Sequence, residues 1–149
     1  MSARIALAAA TALWLAGCGS GDADPAEAGK GGWSIPAGTY GNLAQSAGHG
    51  DMAGVELRLD KGSESDAVEI VLCEGGCGRV ETRPLRRGLN GISFTLPAGG
   101  RTLDVMVQPA GKDAVTFNID RDDGLRSETL PRIEREVGLA AARGGTEDH

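Results

Sequence analysis

Two cysteines, four arginines and one histidine with a nearby carboxylate are the side chains whose types and spacing invite chemistry. Cys73 and Cys77 bracket Glu74-Gly75-Gly76. In a chain that leaves the reducing cytosol, an even pair across a glycine-rich hairpin is most simply a disulfide. A redox-active pair is the sharper alternative, but thioredoxin-like sites separate their cysteines by two residues and start a helix there. A metal site would need further ligands, and no histidine lies nearby in the sequence. Arg79, Arg83, Arg86 and Arg87 crowd into one segment opposed only by Glu81. Their planar donor forks suit a phosphate or carboxylate, so they form a candidate anion-binding patch; the competing reading is a set of solvated charges on a strand and its hairpin. His49 and Asp51 sit in Gly48-His49-Gly50-Asp51, where a general base or ligand pair could be built, but no nucleophilic motif accompanies them and a polar loop explains them as well. Asp120-Arg121-Asp122-Asp123-Gly124 has the opening of a calcium loop, yet its fifth position is Gly124 and its twelfth is Pro131, so a hairpin turn is expected instead. No catalytic residue, metal site or cofactor is assigned on these grounds, and the glycines lack the strand-to-helix context of a nucleotide fingerprint.

The third cysteine stands at the end of a leader. A basic start at Arg4, an apolar stretch from Ile5 to Ala16 and small residues before Cys18 have the layout of a secretory signal peptide, too short for a span of about 20 residues. Leu15-Ala16-Gly17-Cys18 resembles the lipobox of bacterial lipoproteins. That resemblance, confined to the leader, implies a diacylglyceryl group on the Cys18 thiol, cleavage before Cys18 and acylation of the new amino terminus. In such lipoproteins an aspartate after the cysteine signals inner-membrane retention; Gly19 stands there, which points to the outer membrane, with the inner membrane as the alternative. The expected partner through this end is the lipid bilayer.

Composition limits what the rest can be. Among 149 residues, 40% are hydrophobic, 24% are charged and 24 are glycine, about twice the average glycine share, which favours a turn-rich globular domain. An all-helical bundle is disfavoured, because interior glycine costs about 1 kcal/mol relative to alanine. The formal charge of -6, one unit more negative once Arg4 is removed with the leader, gives no support to nucleic-acid binding. Residues 1–17 are thus the expected signal peptide. Residues 18–32, with neither a branched aliphatic nor an aromatic side chain, are the lipidated cysteine and a tether. Residues 33–143 form a β domain and residues 144–149 a loose tail.

Within the β domain a period of two repeats. Val55, Leu57, Leu59; Val68, Ile70, Leu72; Ile92, Phe94, Leu96; Leu103, Val105, Val107; and Val115, Phe117, Ile119 are apolar triplets on one strand face, with polar residues such as Glu56, Asp104 and Asn118 between them. Val80 and Thr82 supply a weaker strand in the one wide gap, and Thr39 to Leu43 another with Tyr40 inward. Asn90-Gly91, Pro97-Ala98-Gly99-Gly100, Pro109-Ala110-Gly111 and Asp122-Asp123-Gly124 mark the turns. Short strands spaced by about 11 to 13 residues predict an all-β fold, a small antiparallel barrel of about seven or eight strands, with a sandwich as alternative. The segment from Thr129 to Arg143 is expected to be a short helix with Pro131 in its first turn, weakened by Gly138, or a strand near Leu130 to Ile133.

With Phe94 and Phe117 on the inward parity, few aromatics remain for a sugar platform. The expected function is a membrane-anchored, non-enzymatic binding or envelope-structural module, its partner an anionic envelope component or a protein. An apolar-ligand carrier is the alternative, and a hydrolase or redox protein a further one.

Overall fold

The computed structural model describes residues 32–47 and 50–145. The leader, Cys18, most of the expected tether, His49 and residues 146–149 lie outside the described residues. Ten strands follow one another: β1 (Gly38–Gly41), β2 (Ala44–Gln45), β3 (Met52–Leu59), β4 (Ala67–Glu74), β5 (Glu81–Pro84), β6 (Arg86–Arg87), β7 (Ile92–Ala98), β8 (Arg101–Pro109), β9 (Ala114–Arg121) and β10 (Gly124–Ile133), with helix α1 (Gly138–Gly144) at the end. Every pairing is antiparallel, in the order β5-β4-β3-β1-β10-β9-β8-β7-β6, and β2 lies off this path against β3. The order is a meander bent round on itself. Each stave pairs with its neighbour in sequence, and β10 returns to β1 through Tyr40–Arg132 and Thr39–Ile133. If β5 and β6 are the two halves of one stave interrupted at Leu85, the path has eight staves, a number at which side chains alone fill the interior.

The alternation seen in the sequence becomes the inside and outside of this barrel. Tyr40, Leu57, Ile70, Phe94, Val105, Phe117 and Leu130 meet along the axis in a cluster no member of which is more than 6% exposed. The Tyr40 hydroxyl, brought into that core, donates to the Pro36 carbonyl at 2.7 Å, so its polar end is satisfied. Of the fifteen triplet residues, Leu72 alone is only partly buried, because it stands at the barrel mouth. Turns hold the register: Gly99 and Gly100, both at positive φ, form the two-residue connection between Ala98 and Arg101, a geometry that matches the twist of the flanking strands.

The weak strand around Val80 has the opposite phase to its neighbours. Register pairs Arg83 with Val68 and Glu81 with Ile70, so these charged residues share the core-facing side, while Val80 packs outside against a second apolar cluster. Leu85, two residues beyond Arg83, keeps the same parity and packs on the core. This stave also closes the barrel incompletely. β5 pairs with β4 and β6 with β7, but β5 makes no ladder with β7, and Pro84 and Pro97 each lack the N–H that such a ladder would need.

The second cluster, Val71, Cys73, Leu139 and Ala142, lies between the outer face of β4 and α1. The expected strand near Leu130 to Ile133 and a short helix are both present; what is corrected is where the helix starts. Pro131 belongs to β10, paired with Ala114, and the helix begins at Gly138, where a Cβ would come within 2.6 Å of Leu43 Cδ1 and 3.0 Å of Val71 Cγ1. Glycine lets the helix start against the sheet rather than weakening it. Glu56, fully buried on β3, accepts hydrogen bonds from the backbone N–H groups of Val137 (3.0 Å), Gly138 (2.9 Å) and Leu139 (3.2 Å). A carboxylate from β3 thus takes the place of a local cap. Glu136 bridges Arg58 at 3.1 Å and Arg143 at 2.5 Å, and Arg143 also reaches Glu69 at 2.7 Å.

Candidate functional site

The arginine segment does not converge on a single point. Arg79 and Arg83 both hold Glu81, at 2.9 and 2.7 Å. Arg87 pairs with Glu64 and lies 5.1 Å above the centre of the Trp33 ring, a cation–π contact. Three of the four guanidiniums are therefore occupied by carboxylates of the chain itself. Arg86 points to the outer face through its pairing with Ser93, and among the described residues it has no carboxylate within 4 Å.

Cys73 and Cys77 are joined as a disulfide, Sγ to Sγ 2.10 Å, at the turn between β4 and the following stave. Cys73 is buried under α1. The same glycine-rich turn borders the barrel mouth, a concavity of about 340 Å³ with Leu72, Ala98 and Leu103 on its apolar side and Glu74, Arg101 and Arg121 on its charged side. Arg121 donates to Glu74 at 3.1 Å, and Arg101 pairs with Asp122. The buried Nε atoms of Arg121 and Arg83 have no acceptor among the described residues.

A concavity of about 600 Å³ lies outside the barrel over β6 to β10. Its floor follows from register. One row runs Arg86, Ser93, Met106, Asn118, Ser127 across five strands. In the next, Thr95 faces Asp104 and Asp120 faces Leu125. Asp104 and Asp120 each stand one step beyond the Val105–Ile119 pair, so the two carboxylates oppose one another across β8 and β9. Both are exposed, and neither has a cation within 4 Å among the described residues. The arginines around them are committed elsewhere: Arg101 to Asp122, Arg121 to Glu74 and Arg126 to Asp123 at 2.7 Å. That last hydrogen bond holds the Asp123 carboxyl below the usual carboxylate range. Beside the opposed pair, Met106 is 47% and Leu125 69% exposed, two apolar side chains left to solvent in one groove.

Sequence reasoning assigned no role to these residues. Asp104 was legible as an outward strand residue and Asp120 as part of a turn, but their opposition depends on the length of the β8–β9 connection. Asp51 is exposed, with its carbonyl accepting from the Ser46 N–H at 2.8 Å; its expected companion His49, like the expected lipidation residue Cys18, lies outside the described residues. The turn at Asp122-Asp123 joins Arg121 to Gly124 as a hairpin. Comparison with known proteins returned no matching family model, no matching curated protein and no matching solved structure.

Proposed function

We propose that this protein is a lipid-anchored, periplasm-facing binding module of the cell envelope, which recognises its partner with the outer surface of a filled β-barrel. Support for the anchor comes from Arg4, the apolar run Ile5 to Ala16 and the lipobox-like Leu15-Ala16-Gly17-Cys18. Acyl chains on Cys18 would bury many methylenes at about 0.8 kcal/mol each and hold the chain on the bilayer. Gly19 favours the outer membrane.

One observation carries the choice of surface recognition over carriage of an apolar ligand: the barrel axis is occupied by side chains no more than 6% exposed, while a concavity of about 600 Å³ lies on the outer face. The partner is an envelope protein, and an anionic group on it would be met by Arg86 at the edge of the outer groove. Mass spectrometry of the native amino terminus tests the anchor. The expected species begins at Cys18 with a diacylglyceryl thioether; a chain that keeps Met1, or one that starts unmodified elsewhere, rejects it.

A further inference from the structure

We infer that the outer groove is a docking site for an extended protein segment that places a lysine or arginine side chain against Asp104 and Asp120 and an apolar side chain on Met106 and Leu125. The inference deepens the surface-recognition reading and rests on it, but not on the anchor.

Charge complementarity identifies the occupant. Like charges directly opposite each other on neighbouring strands are unfavourable, and Arg101, Arg121 and Arg126 are each engaged by another carboxylate. The opposed pair is therefore left to a cation from outside. A metal ion is a poor candidate, because no group of three or more metal-ligating side chains exists among the described residues. A small amine would satisfy the carboxylates but leave Met106 and Leu125 in water. A basic side chain on a peptide does both, since its stem is apolar and its end is charged, and neighbouring residues of the segment reach the exposed thioether and isobutyl groups. Arg86 at the far edge sets the polarity by repelling a basic residue there, and the acidic chain as a whole steers a basic partner inward.

The test uses the full chain and a dye-labelled, capped hexapeptide of alternating lysine and leucine, followed by fluorescence anisotropy at physiological salt. Saturable binding is expected. It should weaken about tenfold or more in the Asp104→Asn, Asp120→Asn double variant and measurably in Met106→Ser. The double variant Asp51→Asn, Asp66→Asn, which removes the same charge elsewhere, should bind as the wild type does. Circular dichroism confirms that each variant is folded. Wild-type affinity in the Asp104, Asp120 variant, an equal loss in the Asp51, Asp66 variant, or equal binding of a glutamate–leucine peptide would overturn the inference. So would a lysine–serine peptide that binds as tightly as lysine–leucine, or spermidine competing at the peptide's own concentration, which would mark a site for charge alone. Absence of saturable binding overturns it too, while leaving the anchor to be judged by its own mass-spectrometric test.

Discussion

Tyr40 is the single tyrosine of the chain, so its titration can be followed without ambiguity. Burial pushes its phenol above the ordinary value, opposed by Arg132 and assisted by Asp113. A group that holds its proton more tightly when folded contributes stability that is fully present below its unfolded pKa of about 10 and is lost as pH rises through the folded value. Ultraviolet titration should show ionisation above the ordinary range in the native protein and within it in denaturant, and denaturation midpoints should fall at alkaline pH; an ordinary native titration would mean that Tyr40 is not in the core. Asp104 and Asp120 make the opposite kind of prediction. Because their carboxylates oppose each other, Asp104→Asn should stabilise the fold by about 0.2–1 kcal/mol in urea titrations, even as it weakens docking. A loss of stability would show that this carboxylate has a structural partner.

Helix α1 has seven residues, too short to stand in water by itself, so it depends on what it touches. Glu56 receives its first N–H groups and Gly138 lets it approach. Glu56→Gln should cost about 1–3 kcal/mol by weakening a charge-assisted set of buried hydrogen bonds, and Gly138→Ala should undock the helix because the new methyl meets Leu43 and Val71. Substituting Glu69 by Gln, in the exposed network, should cost no more than about 1 kcal/mol. Hydrogen exchange of residues 138–144 separates these outcomes: fast exchange in the first two variants and near-native protection in the third. The disulfide closes a loop with a sequence separation of 4, so its reduction should lower stability by about 2 kcal/mol and leave the strand signal intact. These elements also mark the limits of sequence reading. The strong triplets were legible because one face meets a core and the other meets water. The phase of β5 was not, since Glu81 and Arg83 face inward beside the incompletely closed seam. Nor was the helix start, whose cap comes from a strand eighty residues earlier in the chain, and Gly138 looked unfavourable only while its neighbours Leu43 and Val71 were unknown.

At the scale of the molecule, a meander of short hairpins forms a barrel because β10 returns to β1, a pairing that the sparse pattern of Gly38–Gly41 does not announce. The filled axis makes it a scaffold, and the outer face of β7 to β9 is where its rigid strands present opposed carboxylates beside exposed apolar side chains. Site-specific photocrosslinking in intact cells tests recognition by that face. With a photoreactive amino acid at Met106, a discrete protein adduct is expected, and it should disappear when Asp104→Asn and Asp120→Asn are introduced. With the same probe at Leu89, which is 94% exposed but outside the groove, no such adduct is expected if that face is the recognition surface. An adduct at position 89 and none at 106, or one at 106 that survives loss of both carboxylates, would contradict that reading.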